Sequence, residues 1–310
     1  MTVLVDINDQ NWMTKQQFIE SLNGGILESK LRFYPETGTA EDIAMLVCDR
    51  LRPGLVKQLP NLALIQKLGA GVETIVYDSD LPENIRVTRL KPEIAAMEMA
   101  RFCLAQVLPE VHHLAFHKQH QLNSKWMPKA PQQPSNISIG VLGLGHIGGT
   151  TARLFRSLAF HVIGWSRTAK AIDGVDCRWG LDAINGVLAE CDYVICILPS
   201  TTDTFNLFDR HRFKSMKPGA TIINIGRGTL IVEQDLIEAL DNNCLAHAVL
   251  DVFQQEPLSE DSPLWAHPAV TITPHISGWH LQGLEVVADN YHALSNGSPL
   301  IHEVSRKLGY

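Results

Sequence analysis

The chain has 310 residues and a formal net charge of -7 at pH 7, with 45% hydrophobic and 19% charged residues. A chain of this length is long for a single hydrophobic core, so we expect two domains of an ordinary globular protein. The negative charge argues against an extended nucleic-acid or anionic-membrane surface. No stretch approaches the ~20 consecutive apolar residues of a membrane span.

The cysteines and the first residues of the chain give an expectation about its cellular location. Six cysteines are scattered along the chain without a CxxC pair, so neither a disulfide framework nor a metal site is expected. The first residues lack the basic region and the long apolar stretch of a signal peptide. A cytoplasmic location is the expectation that follows.

Apolar runs in the first hundred residues predict a sheet. Strands are predicted over residues 3–5, 44–48, 62–66 and 85–88, and residues 12–22 have helical character. Strands that alternate with helical patterns indicate a parallel α/β sheet.

A long helix and an arm are predicted next. Residues 93–113 are strong helix formers, and Pro109 is expected to kink or interrupt the helix. Residues 121–135 hold Trp126 and three prolines, which predict an extended arm. The arm is either a linker or a segment that clasps a partner, and its aromatic residue favours the second interpretation.

Residues 137–168 predict a strand, a glycine-rich turn, a helix and a second strand. Gly143 permits the tight turn, Gly145 lets the backbone approach a pyrophosphate, and Gly148 lets the helix pack close to the strand. The N–H groups and dipole at the start of the helix favour phosphate charge. The alternative is a turn that happens to be rich in glycine, but the surrounding elements favour dinucleotide binding.

The alternation of strands and helices continues along the rest of the chain. Strands are predicted over residues 192–198, 220–225, 246–250 and 270–273, and helices over residues 181–190, 232–242 and 283–296. Polar residues gather where these strands end. Ligands of open α/β sheets bind beyond the carboxyl ends of the strands, so the polar residues are candidates for a site.

The residues that follow the strand at 161–165 indicate which cofactor is bound. An NAD-specific site of this type places Asp or Glu about 20 residues beyond the glycine turn, whereas Ser166, Arg167 and Thr168 offer no carboxylate. Arg167 has a permanent charge and a planar set of donors suited to a 2′-phosphate, and Lys170 adds a further charge. The sequence therefore predicts a preference for NADP(H). The alternative is that Arg167 stacks on adenine and accepts both cofactors.

Three residues are candidates for chemistry. Arg227 lies between two glycines at a strand end, where its guanidinium could bind a carboxylate and polarise a carbonyl. His275 follows an apolar strand and could serve as an acid or base at neutral pH, while Glu256 could hold its imidazole. Taken singly, each is more simply a loop or structural residue. Together they form a far less ordinary set.

These motifs resemble the D-isomer-specific 2-hydroxyacid dehydrogenase family over nearly the full chain. The resemblance is carried by residues 69–72 (GAGV), 143–148 (GLGHIG), 224–228 (NIGRG), 250–253 (LDVF), 256–258 (EPL) and 273–275 (TPH). A closer resemblance, to the branch of the family that reduces glyoxylate and hydroxypyruvate, is carried by residues 165–168, 262–268 and 309–310.

The resemblance implies a role for each residue. Arg227 would bind the substrate carboxylate and polarise the C2 carbonyl, His275 would donate a proton to the carbonyl oxygen, and Glu256 would keep the imidazole protonated. Backbone N–H groups of Ala70, Gly71 and Val72 would bind the same carboxylate. Asp251 would hold the nicotinamide carboxamide. The cofactor contacts implied by the family are Gly143, Gly145, His146, Ile147, Gly148, Ser166, Arg167, Thr168, Leu198, Pro199, Ile225, Gly226, Arg227, Asp251 and His275.

The resemblance also implies an α/β fold of two Rossmann-like or flavodoxin-like domains with parallel sheets and an active-site cleft between them. Residues 1–98 and 278–310 would form the substrate domain, and residues 99–277 the dinucleotide-binding domain. The expected activity is reduction of a small 2-oxo acid, glyoxylate or hydroxypyruvate, to the D-2-hydroxy acid, with NADP(H) preferred and NAD(H) possible. A homodimer is expected, with its interface formed by residues 93–113 and the arm.

Two rival functions stay open. One is reduction of a bulkier 2-oxo acid by another branch of the family. The other is a nucleotide-sensing scaffold that has lost catalysis, against which the set of Arg227, Glu256 and His275 argues.

Some positions depart from the family pattern. Gly226 stands where Ala or Ser is usual, which predicts a slightly looser loop, and His247 stands where glycine is common. Residues 48–52 differ from the tryptophan-containing version of this loop, which leaves the substrate open. Arg50 and Arg52 in this loop are most simply solvated charges. The sharper hypothesis is that one of them attracts a second acidic group or steers anionic substrates.

Overall fold

The computed structural model describes residues 1–8, 12–91, 93–279 and 283–305, without the side chains of Thr74, Glu93 and Ile94. Residues 309–310, which carry part of the closer family resemblance, lie outside the described residues. The chain divides into two compact units. The first contains Met1–Ala95 and Trp279–Tyr310, and the second contains Ala96–Gly278.

Strands and helices alternate along the described residues. The strands are β1 (Thr2–Asp6), β2 (Leu31–Phe33), β3 (Ile43–Cys48), β4 (Leu64–Lys67), β5 (Arg86–Arg89), β6 (Ser138–Leu142), β7 (His161–Ser166), β8 (Asp176–Trp179), β9 (Tyr193–Cys196), β10 (Ala220–Asn224), β11 (Leu245–Leu250) and β12 (Val270–Ile272). The helices are α1 (Lys15–Ser21), α2 (Glu73–Val76), α3 (Glu93–Val111), α4 (Leu114–Leu122), α5 (His146–Ser157), α6 (Ile184–Glu190), α7 (Arg210–Ser215), α8 (Glu233–Asp241) and α9 (Glu285–Asn296).

The first unit is built on a five-stranded sheet with the order β2-β1-β3-β4-β5. All of its strand pairs are parallel. Neighbouring residues of β1 enter different cores, because Leu4 packs in one apolar cluster and Val3 and Val5 in another. A strand that is buried on both faces needs a continuous apolar run, which is what the sequence of β1 and β3 provides. The strand order is that of flavodoxin-like folds.

The second unit contains a seven-stranded sheet with the order β12-β11-β10-β9-β6-β7-β8. Its strand pairs are also all parallel. The order reverses between β6 and β9, so the loops after these two strands diverge and leave a crevice at their carboxyl ends. The predicted α/β fold with two parallel sheets is confirmed.

Several local predictions were wrong. Helix α3 continues through Pro109 to Val111, so the predicted interruption does not occur, and a kink at this residue stays a prediction. The first two residues of the predicted arm, 121 and 122, belong to the polar helix α4, so its extended part starts only after Leu122. Strands β2 and β8 were not predicted because they are short edge strands that carry exposed charges.

His247, which had no explanation in the sequence, lies near the amino end of β11. Its Nε2 atom is 2.8 Å from the Thr271 hydroxyl on the neighbouring strand, and burial lowers the pKa of the imidazole. It lines a cavity of about 580 Å³ together with Glu110, Asp192 and Thr221. This cavity lies at the amino ends of the strands, so it is not at the edge where the candidate catalytic residues are found.

The buried apolar side chains of the chain form the cores around the two sheets. Within the described residues no helix is both long enough and apolar enough to cross a membrane.

A buried polar network joins α9 to the first sheet. The Asn290 amide donates to the Gln66 side-chain oxygen at 2.9 Å, and the Thr88 hydroxyl donates to the same oxygen at 2.7 Å. The Asn290 side chain also exchanges hydrogen bonds with the backbone of Ile301. Gln66, Thr88 and Asn290 are all completely buried. Their polar groups therefore specify how the returning C-terminal segment docks on β4 and β5.

We expect Asn290→Ala to lower the free energy of unfolding by roughly 2–4 kcal/mol, because the buried Gln66 oxygen loses one donor and the backbone N–H and carbonyl of Ile301 lose their side-chain partner. Urea denaturation of the purified protein measures this change. Asp289→Ala, an exposed position on the same helix, is the matched control and should stay within about 0.5 kcal/mol. Equal stability of the two variants would contradict the role of the network.

Candidate active site

Two positions of the glycine-rich turn after β6 can hold only glycine. Gly143 has a φ of +104°, and a Cβ there would lie 2.7 Å from the Ile197 carbonyl oxygen. A Cβ on Gly148 would lie 1.8 Å from the Gly143 carbonyl oxygen. Gly145 has open space around its Cβ position. The first two glycines are therefore needed by the chain itself, whereas Gly145 leaves room for a group outside the chain.

Helix α5 begins directly after this turn and offers donors to an anion. Gly145 is its N-cap and supplies no side-chain cap. Among the residues that the structure describes, no acceptor is bonded to the N–H groups of His146, Ile147 and Gly148. Free N–H groups and the positive end of the helix dipole suit a pyrophosphate. The turn thus fits the phosphates of a dinucleotide.

The residues after β7 present a cation. The Ser166 hydroxyl is buried and donates to the Thr168 carbonyl oxygen at 2.8 Å, which closes a tight turn around Arg167. The Arg167 side chain is 48% exposed, and its Nη1 atom lies 3.9 Å from a carboxylate oxygen of the exposed Asp203. A contact of that length between exposed groups is weak.

Strands β9 and β10 lie on the other side of the reversal in strand order, and the loops that follow them pack closely through their backbones. Leu198 follows β9, and the Pro199 carbonyl accepts a hydrogen bond from the Thr204 hydroxyl at 2.6 Å. A Cβ on Gly226 would lie 2.7 Å from the Leu198 carbonyl oxygen. Glycine at this position therefore corresponds to tight packing against Leu198, and the expected loosening of the loop stays a prediction.

The turn that carries Arg227 is fixed on both sides. The Asn224 side chain accepts from the Gly226 N–H and donates to the Arg227 carbonyl. On the other side a Cβ on Gly228 would lie 1.8 Å from the Phe253 carbonyl carbon. Arg227 is partly buried, and its Nη1 donates to the Gly226 carbonyl at 2.6 Å. The guanidinium is thus attached to a backbone with little freedom to move.

His275 and Glu256 form a direct pair. The Nδ1 atom of His275 lies 2.8 Å from the Glu256 Oε2 atom, and Glu256 Oε1 accepts the Phe253 N–H at 3.1 Å. A carboxylate only accepts, so Nδ1 carries the hydrogen and Nε2 is left to face outward. Half of the imidazole surface is exposed, compared with about a quarter of Glu256.

The electrostatics of Glu256 link the three candidate residues. Burial by itself raises the pKa of the Glu256 carboxyl, but the hydrogen bond and charge of His275, the Phe253 N–H and the charge of Arg227 more than offset it. The pKa of Glu256 therefore lies below its ordinary value. Glu256 stays ionised at neutral pH, and its negative charge is lost as the pH falls through that lowered pKa.

A buried carboxylate holds the loop that carries His275. Asp251 is completely buried and accepts three hydrogen bonds, from the Thr273 hydroxyl and from the N–H groups of Ile276 and Ser277, at 2.6–2.9 Å. His275 has a φ of +56°, a left-handed conformation that costs a non-glycine residue about 1–3 kcal/mol. Each hydrogen bond to a charged group contributes roughly 1.5–3 kcal/mol, which is enough to offset that strain.

This function of Asp251 was missed in the sequence. The signal was an acid directly after a buried strand, followed after 22 residues by a Thr-Pro-His segment, and nothing in that spacing predicts the hydrogen bonds.

In the first unit the residues after β4 form a loop with available donors. Gly69 has a φ of +132°, and its carbonyl accepts the Leu90 N–H. The Ala70 carbonyl accepts a hydrogen bond from Arg89 at 3.0 Å. In the described part of the chain no acceptor engages the N–H groups of Ala70, Gly71 and Val72. The carbonyl groups of Gly69 and Ala70 accept hydrogen bonds within the fold, while the three N–H groups are left for a ligand.

The loop after β3 is held by Asp6 at the end of β1 and by Asn8 just after it, two residues that the sequence analysis did not single out. The Arg52 guanidinium donates to buried Asp6 at 2.7 Å and lies 4.5 Å from the Tyr34 ring centroid. Burial raises the pKa of Asp6 despite the hydrogen bond and charge of Arg52. The Asn8 amide donates to Asp49 and to the Arg50 carbonyl. Polar residues directly after a buried strand were the available signal.

Comparison with known proteins agrees with this geometry. Residues 104–277 match the family described as D-isomer specific 2-hydroxyacid dehydrogenase, NAD binding domain. The chain is 36% identical over 250 residues to the glyoxylate/hydroxypyruvate reductase A of Serratia proteamaculans, covering 78% of this chain and 80% of that protein.

Two solved structures extend the likeness to the whole chain. A D-isomer specific 2-hydroxyacid dehydrogenase from Xanthobacter autotrophicus Py2, in complex with NADPH and MES, superposes with a TM-score of 0.90 at 32% identity over 100% of both chains. An NADPH-dependent glyoxylate/hydroxypyruvate reductase from Sinorhizobium meliloti, in complex with NADP and sulfate, gives a TM-score of 0.87 at 26% identity over 100% of this chain and 99% of that one. The chain belongs to the D-isomer specific 2-hydroxyacid dehydrogenase family.

Proposed function

We propose that this protein is an NADPH-preferring reductase of small 2-oxo acids, with glyoxylate or hydroxypyruvate reduced to the D-2-hydroxy acid. The observation that carries the proposal is the His275–Glu256 pair at 2.8 Å in a chain of this family. The pair provides a proton donor whose orientation is fixed, with the charge of Arg227 acting on the same carboxylate. A scaffold that only bound nucleotide would not need a histidine paired with a carboxylate.

Binding of the dinucleotide is assigned to the carboxyl ends of β6, β7, β9 and β10. The N–H groups of His146, Ile147 and Gly148 would bind the pyrophosphate beside Gly143 and Gly145. When bound, NADPH supplies the hydride that C2 of the oxo acid accepts. The remaining proposed contacts are Ser166, Arg167, Thr168, Leu198, Pro199, Ile225, Gly226, Arg227, Asp251 and His275.

The chemistry at the oxo acid is assigned to three side chains. Arg227 would bind the substrate carboxylate and polarise the C2 carbonyl, because a guanidinium forms paired charged hydrogen bonds. Nε2 of His275 would give its proton to the carbonyl oxygen as negative charge develops there. Glu256 would orient the ring through Nδ1 and stabilise the imidazolium before the transfer.

Asp251 would have two functions. Three of its hydrogen bonds hold the loop of His275, and a carboxylate has acceptor positions for about four donors in all. The remaining position would accept the nicotinamide carboxamide. Cofactor and proton donor would then be positioned by one buried group.

Substrate binding in the first unit is assigned to the N–H groups of Ala70, Gly71 and Val72. We assign the substrate domain to residues 1–98 and 278–310 and the dinucleotide-binding domain to residues 99–277. We also propose a cytoplasmic homodimer. Its interface would include the arm, where Trp126 is 97% exposed and Leu122 is 76% exposed.

We expect His275→Ala to lower kcat for glyoxylate with NADPH by roughly 10²–10⁴-fold, because the carbonyl oxygen loses its proton donor. The dissociation constant of NADPH, followed by fluorescence titration, should change little. His211→Ala replaces an exposed histidine of α7 and should retain full activity. Turnover of His275→Ala at the unsubstituted rate would contradict the assignment.

For Glu256→Gln the alkaline limb of the pH profile of reduction should move to lower pH, since the imidazolium loses its carboxylate partner. The direction follows from the lowered pKa of Glu256, which reports a favourable interaction with His275. Glu260→Gln, at an exposed position of the same loop, should leave the limb in place. A pH profile that does not respond to Glu256→Gln would count against the pairing.

The cofactor preference is tested by Arg167→Ala. NADPH binding should weaken by roughly 1.5–3 kcal/mol as charged hydrogen bonds to the 2′-phosphate are lost. NADH binding in the same variant is the internal control and should barely change. Titration that finds NADH bound more tightly by the unsubstituted protein, or both cofactors weakened equally in the variant, would refute this role of Arg167.

A further inference from the structure

The strand order of the five-stranded sheet reverses between β1 and β3. Loops that follow two strands on either side of such a reversal diverge, and ligands of open α/β sheets bind beyond the carboxyl ends at that point. In this chain Asp6 is the last residue of β1, Asn8 follows that strand, and residues 49–52 follow β3. The loop 49–52 therefore lies where the first sheet is able to bind a ligand.

The two arginines of this loop are in different environments. Arg52 is committed to the fold, because its guanidinium is bonded to buried Asp6 and packed on the Tyr34 ring. Arg50 has an exposed side chain, and no described carboxylate lies within 4 Å of it. Its backbone carbonyl is nevertheless held by the Asn8 amide at 3.1 Å. Arg50 is thus an exposed cation on a fixed backbone.

Further cations lie along the same edge of the sheet. Lys67 is the last residue of β4 and Arg89 is the last residue of β5. Both donate to carbonyl groups of the next loop, Lys67 to Leu68 and Arg89 to Ala70. Carboxyl ends of parallel strands share one edge, so their charges add to that of Arg50.

Two carboxylates beside the loop of Arg50 are engaged by other residues, and one hydrogen bond joins this loop to the next. Asp6 is neutralised by Arg52, and Asp49 accepts two N–H groups of Asn8. The Leu68 N–H donates to the Cys48 carbonyl at 2.7 Å. That bond joins the loop of Arg50 to the loop of Ala70, Gly71 and Val72, whose N–H groups have no acceptor within the described residues.

We propose that Arg50 is a specificity-determining residue that binds a second carboxylate of the substrate, so that the protein favours 2-oxo dicarboxylic acids over 2-oxo monocarboxylic acids of equal chain length. The proposal rests on the proposed function, in which the first carboxylate is bound by the N–H groups of Ala70, Gly71 and Val72. A planar guanidinium forms paired hydrogen bonds with a carboxylate. Glyoxylate has no second acidic group, so its reduction does not depend on Arg50.

The test compares substrates that differ only in the second carboxylate, each assayed with NADPH. One pair is oxaloacetate and 2-oxobutyrate, and the other is 2-oxoglutarate and 2-oxovalerate. For the dicarboxylate with the higher kcat/KM, Arg50→Gln should lower that value by about 10- to 100-fold, the loss typical of a charged hydrogen bond. Values for glyoxylate and for the monocarboxylates should stay within about twofold.

Two control variants distinguish recognition of the second carboxylate by Arg50 from a non-specific effect of positive charge. Lys30→Gln removes an exposed cation that precedes β2, at the opposite edge of the sheet, and should leave all values unchanged. Arg50→Lys keeps the charge and should restore part of the preference. High salt should reduce the preference of the unsubstituted protein, because an exposed charge is screened. Equal losses for both members of a pair, or no preference in the unsubstituted protein, would overturn the proposal.

Failure of the proposed function has a separate signature. If no 2-oxo acid is reduced while NADPH binds, the reductase assignment fails, and calorimetric binding of succinate and butyrate then decides the role of Arg50. Succinate bound more tightly than butyrate, with the difference lost in Arg50→Gln, would support recognition of the second carboxylate. Equal binding of the two acids would overturn it.

Discussion

In a parallel sheet every strand ends at the same edge, and the loops after the strands therefore form one row of side chains. Each of the two units has such a sheet with one reversal of strand order. Burying a polar side chain without a hydrogen-bond partner costs free energy, so the polar residues collect in the loops rather than in the buried strands. In the second unit they are Arg227, Glu256 and His275, and in the first unit they are the loops after β3 and β4. The candidate chemistry follows from this single constraint on the backbone.

The constraint brings the loops together, but buried hydrogen bonds decide how each side chain is presented. Asp251 is the main example, because its carboxylate holds a histidine in a left-handed conformation that no hydrophobic contact would select. Gly226 and Gly228 act in the opposite way, since each removes a side chain that would collide with a neighbouring backbone. The positions of Arg227 and His275 are thus set by groups that touch no substrate.

The first unit uses the same logic with charged partners. Asp6 is buried at the end of β1, and leaving it without a partner would be costly, so Arg52 is required next to it. Arg52 and the Arg50 carbonyl are consequently held in place, although the Arg50 side chain is exposed. A loop whose backbone is held loses less conformational entropy on binding, which is a favourable arrangement for selecting among small anions.

The sequence by itself determined the fold class, the glycine turn and the family, because apolar runs, left-handed turns and helix starts are local requirements. It also predicted that Arg227, Glu256 and His275 belong together, although their roles stay predictions. Short edge strands were beyond its reach, since β2 and β8 have too few apolar residues to be recognised. Only the tertiary structure decided that Arg52 and not Arg50 is paired with Asp6, and that Asp251 holds the loop of His275. Those choices depend on contacts between residues 46 and 22–26 positions apart in the chain, and no local pattern encodes such contacts.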